Sequence, residues 1–371
     1  MNDYQFKDSH SIITPALIFY YDGIKENISK TVRIAGDSKK LWPHMKTHKC
    51  AEIIQMQIAA GITRFKCATI AEAELTAFCG ATDVLIAYPL IGPNQKRFLH
   101  LQKAFPKTTF WTIGDDLNQL KLLGQTLDDN GMTGNVLIDV NVGLNRTGVS
   151  LDKLEGFYKA CYTYAGLKVR GFHCYDGQRR ESDFDTRYAE VAKYAIKLKQ
   201  IRQNLIVNHY TFDTLVAGTT PSFPCFVKYG LDDTYFSPGT LILNDSGYSR
   251  SFPDLQFKPA ASIMTRVISN PLSGQFTLDL GVKGIATDPG TDRGVIVGMP
   301  HVKSLFQNEE HWVFQMERGY EDQTPKVGDE LFVIPTHICP TCALYSHATV
   351  IHNGEIIAEW KIAARDRMLT Y

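Results

Sequence analysis

Between Lys40 and Asn244 the chain repeats one unit: a short apolar run, a turn, then apolar residues recurring at helical spacing. Eight runs read as strands, at 41–46, 64–68, 83–87, 108–113, 135–140, 168–174, 206–215 and 235–243. Helical patterns fall between them at 51–60, 70–78, 94–104, 116–128, 151–164 and 184–203. A doubly wound open sheet gives a similar alternation, and the count of eight favours a parallel (β/α)8 barrel of the α/β class. Ahead of the rhythm, 14–21 reads as a strand led in by Pro15. Asp22 then reads as an N-cap for a helix carrying Ile24, Ile28, Val32 and Ala35. After Asn244 the pattern turns to strands and turns punctuated by Gly274, Gly281, Gly290 and Gly328. The expected organisation is an N-terminal strand segment (1–20) packed with the β domain, a barrel (21–244) and a mostly β C-terminal domain (245–371).

Composition excludes several function classes. The 39 basic and 39 acidic side chains balance, which argues against a protein that binds nucleic acid by neutralising phosphates. No apolar run approaches a membrane span, and the N-terminus lacks the basic-then-apolar layout of a secretory signal. Eight cysteines spread over 371 residues fit reduced thiols, and so a cytoplasmic setting, better than a disulfide scaffold.

In a barrel of this kind the chemistry gathers at the C-terminal ends of the strands. The basic stretch Trp42-Pro43-His44-Met45-Lys46-Thr47-His48-Lys49 ends the first strand, so Lys46 is expected at the mouth. A lysine there becomes a nucleophile when neighbouring cations or burial favour its neutral amine. By itself the stretch reads first as a basic surface turn, and it is its place in the chain that favours the chemical reading. Arg146 lies just beyond strand five and Tyr175 ends strand six, adding a fixed cation and a flat ring. Gly218, Thr219 and Thr220 follow strand seven, and Gly239 and Thr240 lie at strand eight. Small residues and hydroxyls at those two loops suit a phosphate. In the β domain, Pro335-Thr336-His337-Ile338-Cys339-Pro340-Thr341-Cys342 sets an imidazole and a thiol two residues apart on a strand-like run, on one face. Both are natural zinc ligands. Ordinary buried thiols remain an equal reading of that segment, and a thioredoxin-like redox role for its C-x-x-C lacks the expected context.

These stretches in combination resemble the fold-type III pyridoxal-phosphate enzymes with an alanine-racemase-like N-terminal barrel. The similarity is to the D-serine dehydratase and D-threonine aldolase branch. It is carried by Thr14-Pro15-Ala16, His44–Lys49, Cys67-Ala68-Thr69-Ile70-Ala71-Glu72-Ala73-Glu74, Ala87-Tyr88-Pro89-Leu90, Pro238-Gly239-Thr240 and His337-Ile338-Cys339-Pro340-Thr341, in that order. The resemblance implies that Lys46 carries pyridoxal 5′-phosphate as a Schiff base. It implies Tyr175 beside the pyridine ring, Arg146 near the ring's polar edge, and Gly218, Thr219, Thr220, Gly239 and Thr240 around the phosphate. It assigns His337 and Cys339 to a divalent metal, zinc ahead of manganese or magnesium. Two positions depart from the branch's pattern: Thr219 stands where a glycine is usual, and His173 where a glutamine is usual.

The function this implies is a metal-assisted lyase acting on β-hydroxy D-amino acids, dehydrating D-serine or cleaving D-threonine-like substrates. The expected form is a cytoplasmic homodimer with a small-molecule substrate and neither nucleic-acid nor membrane partners. The alternatives are an amino-acid racemase and a non-catalytic pyridoxal-phosphate-binding protein. The second of these has no use for the His337/Cys339 pair.

Overall fold

A computed structural model describes residues 4–371. It divides into two compact units. One comprises Ser29–Lys46, Ile54–Gly239 and Asp366–Tyr371, and the other runs up to Ile28 and adds Thr47–Ile53 and Thr240–Arg365.

The chain opens with β1 (Ala16–Tyr20), α1 (Tyr21–Ala35) and α2 (Ala51–Ala59). The alternation then proceeds through β2 (Arg64–Cys67), α3 (Ile70–Phe78), β3 (Asp83–Ile86), α4 (Pro93–Ala104), β4 (Thr109–Gly114), α5 (Leu117–Asp128) and β5 (Gly134–Asn141). It continues with β6 (Val149–Ser150), α6 (Leu154–Cys161), β7 (Leu167–Cys174), α7 (Phe184–Val207), β8 (Thr214–Ala217), α8 (Phe223–Tyr229) and β9 (Thr234–Phe236). Short polar side chains start several of these helices. Thr69, Asp116 and Asp183 each accept the backbone N–H three residues on, satisfying a donor the helix cannot use internally.

Strands β2, β3, β4, β5, β7, β8 and β9 pair in that order, every pair parallel. The expected first strand, 41–46, is reduced to two parallel bridges, Leu41 to Phe236 and His44 to Lys66. Trp42 N–H donates to Phe236 O and His44 N–H to Pro238 O, while Lys66 N–H donates to Pro43 O. This short segment thus ties both edges of the curled parallel sheet and completes the (β/α)8 arrangement. Pro43, which has no N–H, prevents a longer ladder. Trp42 is wholly buried and anchors a cluster with Leu85, Trp111, Ile113, Leu137 and Val216. Its indole donates to Phe65 O at 2.7 Å.

Two strand boundaries differ from expectation. The run 206–215 begins inside α7, because Ile206 and Val207 form that helix's exposed last turn. The break comes at His209, which is left-handed at φ 64°, and the strand shortens to Thr214–Ala217. The run 235–243 stops at Phe236, ahead of Pro238 and a 3-10 turn at Thr240–Ile242.

The second unit is mostly β. It holds α9 (Ser246–Ser251), β10 (Ala261–Ser269), β11 (Gln275–Leu278), β12 (Gly294–Ile296), β13 (Val302–Gln307), β14 (Trp312–Met316), β15 (Glu330–Pro335), α10 (Ile338–Cys342), β16 (His347–His352) and β17 (Glu355–Lys361). Strand β1 lies in its sheet, antiparallel to β10 and parallel to β16. Asp22 falls inside the first turn of α1 rather than capping it, and accepts from Asn353 N–H at 3.1 Å. No helix among the described residues is long and apolar enough to cross a membrane.

Candidate functional site

Lys46 sits in a 3-10 turn, Met45–Thr47, directly after the bridged segment. It is half-buried. The barrel unit gathers a polar cluster at the C-terminal ends of its strands. Strands β5 and β7 pair with Asp139 opposite His173, and His173 Nδ1 lies 2.7 Å from Asp139 Oδ1. Thr147 donates a second hydrogen bond to Asp139 at 2.7 Å. Burial works to raise the Asp139 pKa, but these two bonds outweigh it and hold the carboxylate below its usual range. Burial lowers the His173 pKa despite Asp139, so the ring is neutral and donates Nδ1–H to the carboxylate. His173 Nε2 is then a buried acceptor with no hydrogen-bond partner among the described residues.

Tyr175 follows β7, and Arg146 lies over its ring, 4.6 Å from guanidinium carbon to centroid. Arg146 itself is exposed. On the same ring, 5.8 Å from its centroid, is the ammonium of Lys66, the penultimate residue of β2. Lys66 is 3% exposed. Sequence reading did not single it out, because Arg64-Phe65-Lys66-Cys67 alternates basic and apolar residues and so looks like a strand with one charged, exposed face. The signal present was its place one residue before a strand end in a barrel.

The turn after β8 is built around Asp176. Its Oδ1 accepts from Thr219 Oγ1 at 2.9 Å and Ser222 Oγ at 2.8 Å, and Tyr194 OH donates to Oδ2. The Thr219 hydroxyl is therefore committed to a carboxylate. Gly218 is left-handed at φ 80°, and a Cβ there would come within 2.7 Å of Phe223 Cα, so only glycine allows this turn. Thr220 Oγ1 receives Gly239 N–H at 3.3 Å. Ser237, in the turn after β9, is buried with its Oγ unpartnered. Orphaned buried polar atoms are rare in folded proteins and point to a missing partner. Ser237 Oγ, His173 Nε2 and the buried cation Lys66 fit a polar, anionic, ring-bearing ligand beside Tyr175. That is the chemical character of pyridoxal phosphate.

In the β unit, the strand expected across 335–342 ends at Pro335, and α10 begins at Ile338. His337 and Cys339 therefore flank a helix start instead of alternating on a strand. Among the described residues no group of three or more His, Cys, Asp or Glu side chains converges as a metal cage. The pair itself is close-set. His337 Nδ1 is bonded to Asp288, and burial, which would lower the imidazole's pKa, is outweighed by Cys339 and Asp288, raising it to about 9. Thr47 Oγ1 lies 3.1 Å and Thr240 Oγ1 3.5 Å from Cys339 Sγ. Thr240 thus faces a thiol. An imidazole oriented by a carboxylate beside a thiol suits zinc in donor type, with two protein ligands leaving positions open.

A surface cavity of about 500 Å³ lies on the barrel unit, lined by Ile91, Gln95, Asp115, Gln119 and Leu122 among others. None of the candidate catalytic, cofactor or metal residues lines it, although Pro89 of the Ala87–Leu90 motif does.

The family described as "Alanine racemase, N-terminal domain" matches residues 20–228, and a serine dehydratase domain family matches residues 260–351. A D-threonine aldolase of Arthrobacter sp is 28% identical over 88% of this chain and 85% of its own. A D-serine dehydratase of Dictyostelium discoideum is 24% identical over 95% of this chain and 97% of its own. Among solved structures, the D-threonine aldolase of Filomicrobium marinum superposes with a TM-score of 0.86 at 26% identity, covering 96% of each chain.

Proposed function

This chain belongs to the alanine racemase N-terminal domain family, and on that premise we propose that it is a pyridoxal-phosphate-dependent, metal-assisted lyase of β-hydroxy D-amino acids. The observation that supports this best is the cluster at the barrel's strand ends: a half-buried Lys46, a ring at Tyr175 flanked by two cations, and buried polar atoms awaiting a partner. The relatives named for D-threonine aldolase and D-serine dehydratase activity supply the substrate class.

When bound, pyridoxal phosphate supplies an aldehyde for an amine and a ring that draws electrons from the substrate Cα. Lys46 would hold it by its amine and then remove the Cα proton. Tyr175 would wall the ring, and Arg146 would lie at its polar edge. Gly218, Thr220, Gly239 and Ser237 would serve the phosphate, with Thr219 acting through the Asp176 cage that shapes the turn. Asp139 keeps His173 in one tautomer, so Nε2 presents a lone pair. His337 and Cys339 would hold a divalent ion, which supplies Lewis acidity toward a β-hydroxyl. The thiol favours zinc over manganese or magnesium and tips the reading toward the D-serine dehydratase type. Loss of the hydroxyl would yield a 2-oxo acid and ammonia. If instead the β-hydroxyl gave up its proton and the Cα–Cβ bond broke, with a proton then delivered to Cα in place of one removed by Lys46, the products would be glycine and an aldehyde.

We read the working form as a cytoplasmic homodimer, closed two-fold pairs being the commonest assembly. The test is direct. Protein loaded with cofactor and zinc is offered D-serine, D-threonine and D-3-hydroxyaspartate, and ammonia, 2-oxo acid and aldehyde are assayed with and without a chelator. Release of product that the chelator abolishes supports the proposal. No product from any of the three would sink it.

A further inference from the structure

Lys66 is a buried basic group of the barrel to which the proposed reaction gives no role. Its ammonium shares the Tyr175 ring with Arg146. Among the described residues no carboxylate closes a salt bridge with it. The charged and titratable groups that act on it come from every element around it: Lys46 from the turn after the bridged segment, Asp139 from β5, Arg146 from the loop beyond β5, His173 from β7, and Asp176 after β7. Charging a buried lysine that faces two other cations is costly unless an anion joins it. Close to Lys66, His173 Nε2 is buried with no hydrogen-bond partner among the described residues.

We propose that Lys66 is a positioning residue that takes up a proton when the phosphate-bearing cofactor binds, entering the site as a free amine and remaining there as an ammonium. The inference rests on the pyridoxal-phosphate reading and adds to it a residue and a linkage. Without ligand, burial first and Lys46 second lower the Lys66 pKa to about 7, with Arg146 adding to the depression and Asp139 and Asp176 opposing it. An anionic ligand raises it again, since an opposite charge favours the charged form. The ligand thus binds the protonated site better. Above pH 7 its affinity should fall by up to about tenfold per pH unit through this one group.

The probe is pyridoxine 5′-phosphate, which has the ring and phosphate but no aldehyde, so Lys46 condensation does not enter the proton count. Binding to the full chain, stripped of cofactor, is measured calorimetrically at pH 8 in two buffers of different ionisation enthalpy. Wild type should take up close to one proton more than Lys66→Met. Lys66→Arg, permanently charged, should keep at pH 8 the affinity that wild type shows below pH 7 and lose the uptake, whereas Lys66→Met should bind at least tenfold more weakly than wild type below pH 7. Equal proton counts in wild type and either variant would overturn the role of Lys66 while leaving the cofactor reading intact. Absence of any binding to wild type would instead remove the cofactor reading itself.

Discussion

His173 Nδ1 lies 2.7 Å from Asp139 Oδ1, both side chains buried, on residues that sit opposite one another across β5 and β7. The carboxylate fixes which imidazole nitrogen carries the proton, and so decides that the free nitrogen is an acceptor. Asp139→Asn removes a charge-assisted bond and lets the ring change tautomer. It should cost about 2 kcal/mol of stability and weaken cofactor retention, read by urea unfolding and by the rate of cofactor loss on dialysis. Unchanged retention would detach this pair from the site.

Lys46→Ala should abolish turnover and visible absorbance while changing stability by less than about 1 kcal/mol, since a half-buried lysine adds little to the core. In wild type, borohydride should fix the cofactor to the peptide carrying Lys46. Label on Lys49 or Lys66 would move the assignment.

His337→Ala and Cys339→Ala should each reproduce the chelated protein: cofactor absorbance retained, product release reduced by at least about a hundredfold, the scale seen when a metal site is dismantled. Metal content by atomic absorption should fall with activity. Full activity in either variant freed of metal would reject the metal role and favour racemisation.

His48 is wholly buried, and its Nδ1 accepts the Cys50 N–H at 3.3 Å. Burial, opposed by a backbone hydrogen bond with Cys50 and reinforced by Lys49, lowers its pKa to about 3. The unfolded chain protonates this ring near pH 6.5, and the folded chain resists until about pH 3. Its contribution is therefore whole above pH 6.5 and lost as pH falls, at about 1.4 kcal/mol per pH unit below that point. Urea midpoints between pH 4 and 7 should show this slope, and His48→Gln should flatten it.

Gly218→Ala forces a side chain into a left-handed turn and against Phe223 Cα, 2.7 Å away. The expected cost is about 2–3 kcal/mol, with a larger loss of affinity for pyridoxine 5′-phosphate than for pyridoxine. Equal losses for both would show that the turn does not serve the phosphate.

Local patterning along the chain determined much of this protein. The alternation of apolar runs and amphipathic stretches was sufficient for the barrel, because hydrophobic period and capping residues such as Thr69 and Asp116 act within a few residues. The change of rhythm near Asn244 marked the β region for the same reason. Lys46, Arg146, Tyr175, His337 and Cys339 could be put forward as candidates because they follow strand ends or stand in short motifs. The three-dimensional arrangement decided the rest. Pro43 cut the first strand to two bridges, since its missing N–H matters only once neighbours are in place. Ile206 and Val207, residues that favour strands, stayed helical because α7 had no stop before His209. The Asp139–His173 pair, 34 positions apart, the capture of Thr219 by Asp176 and the burial of Lys66 all depend on the register between strands distant in sequence. Register is set by packing of the whole sheet, and no local window of the chain contains it.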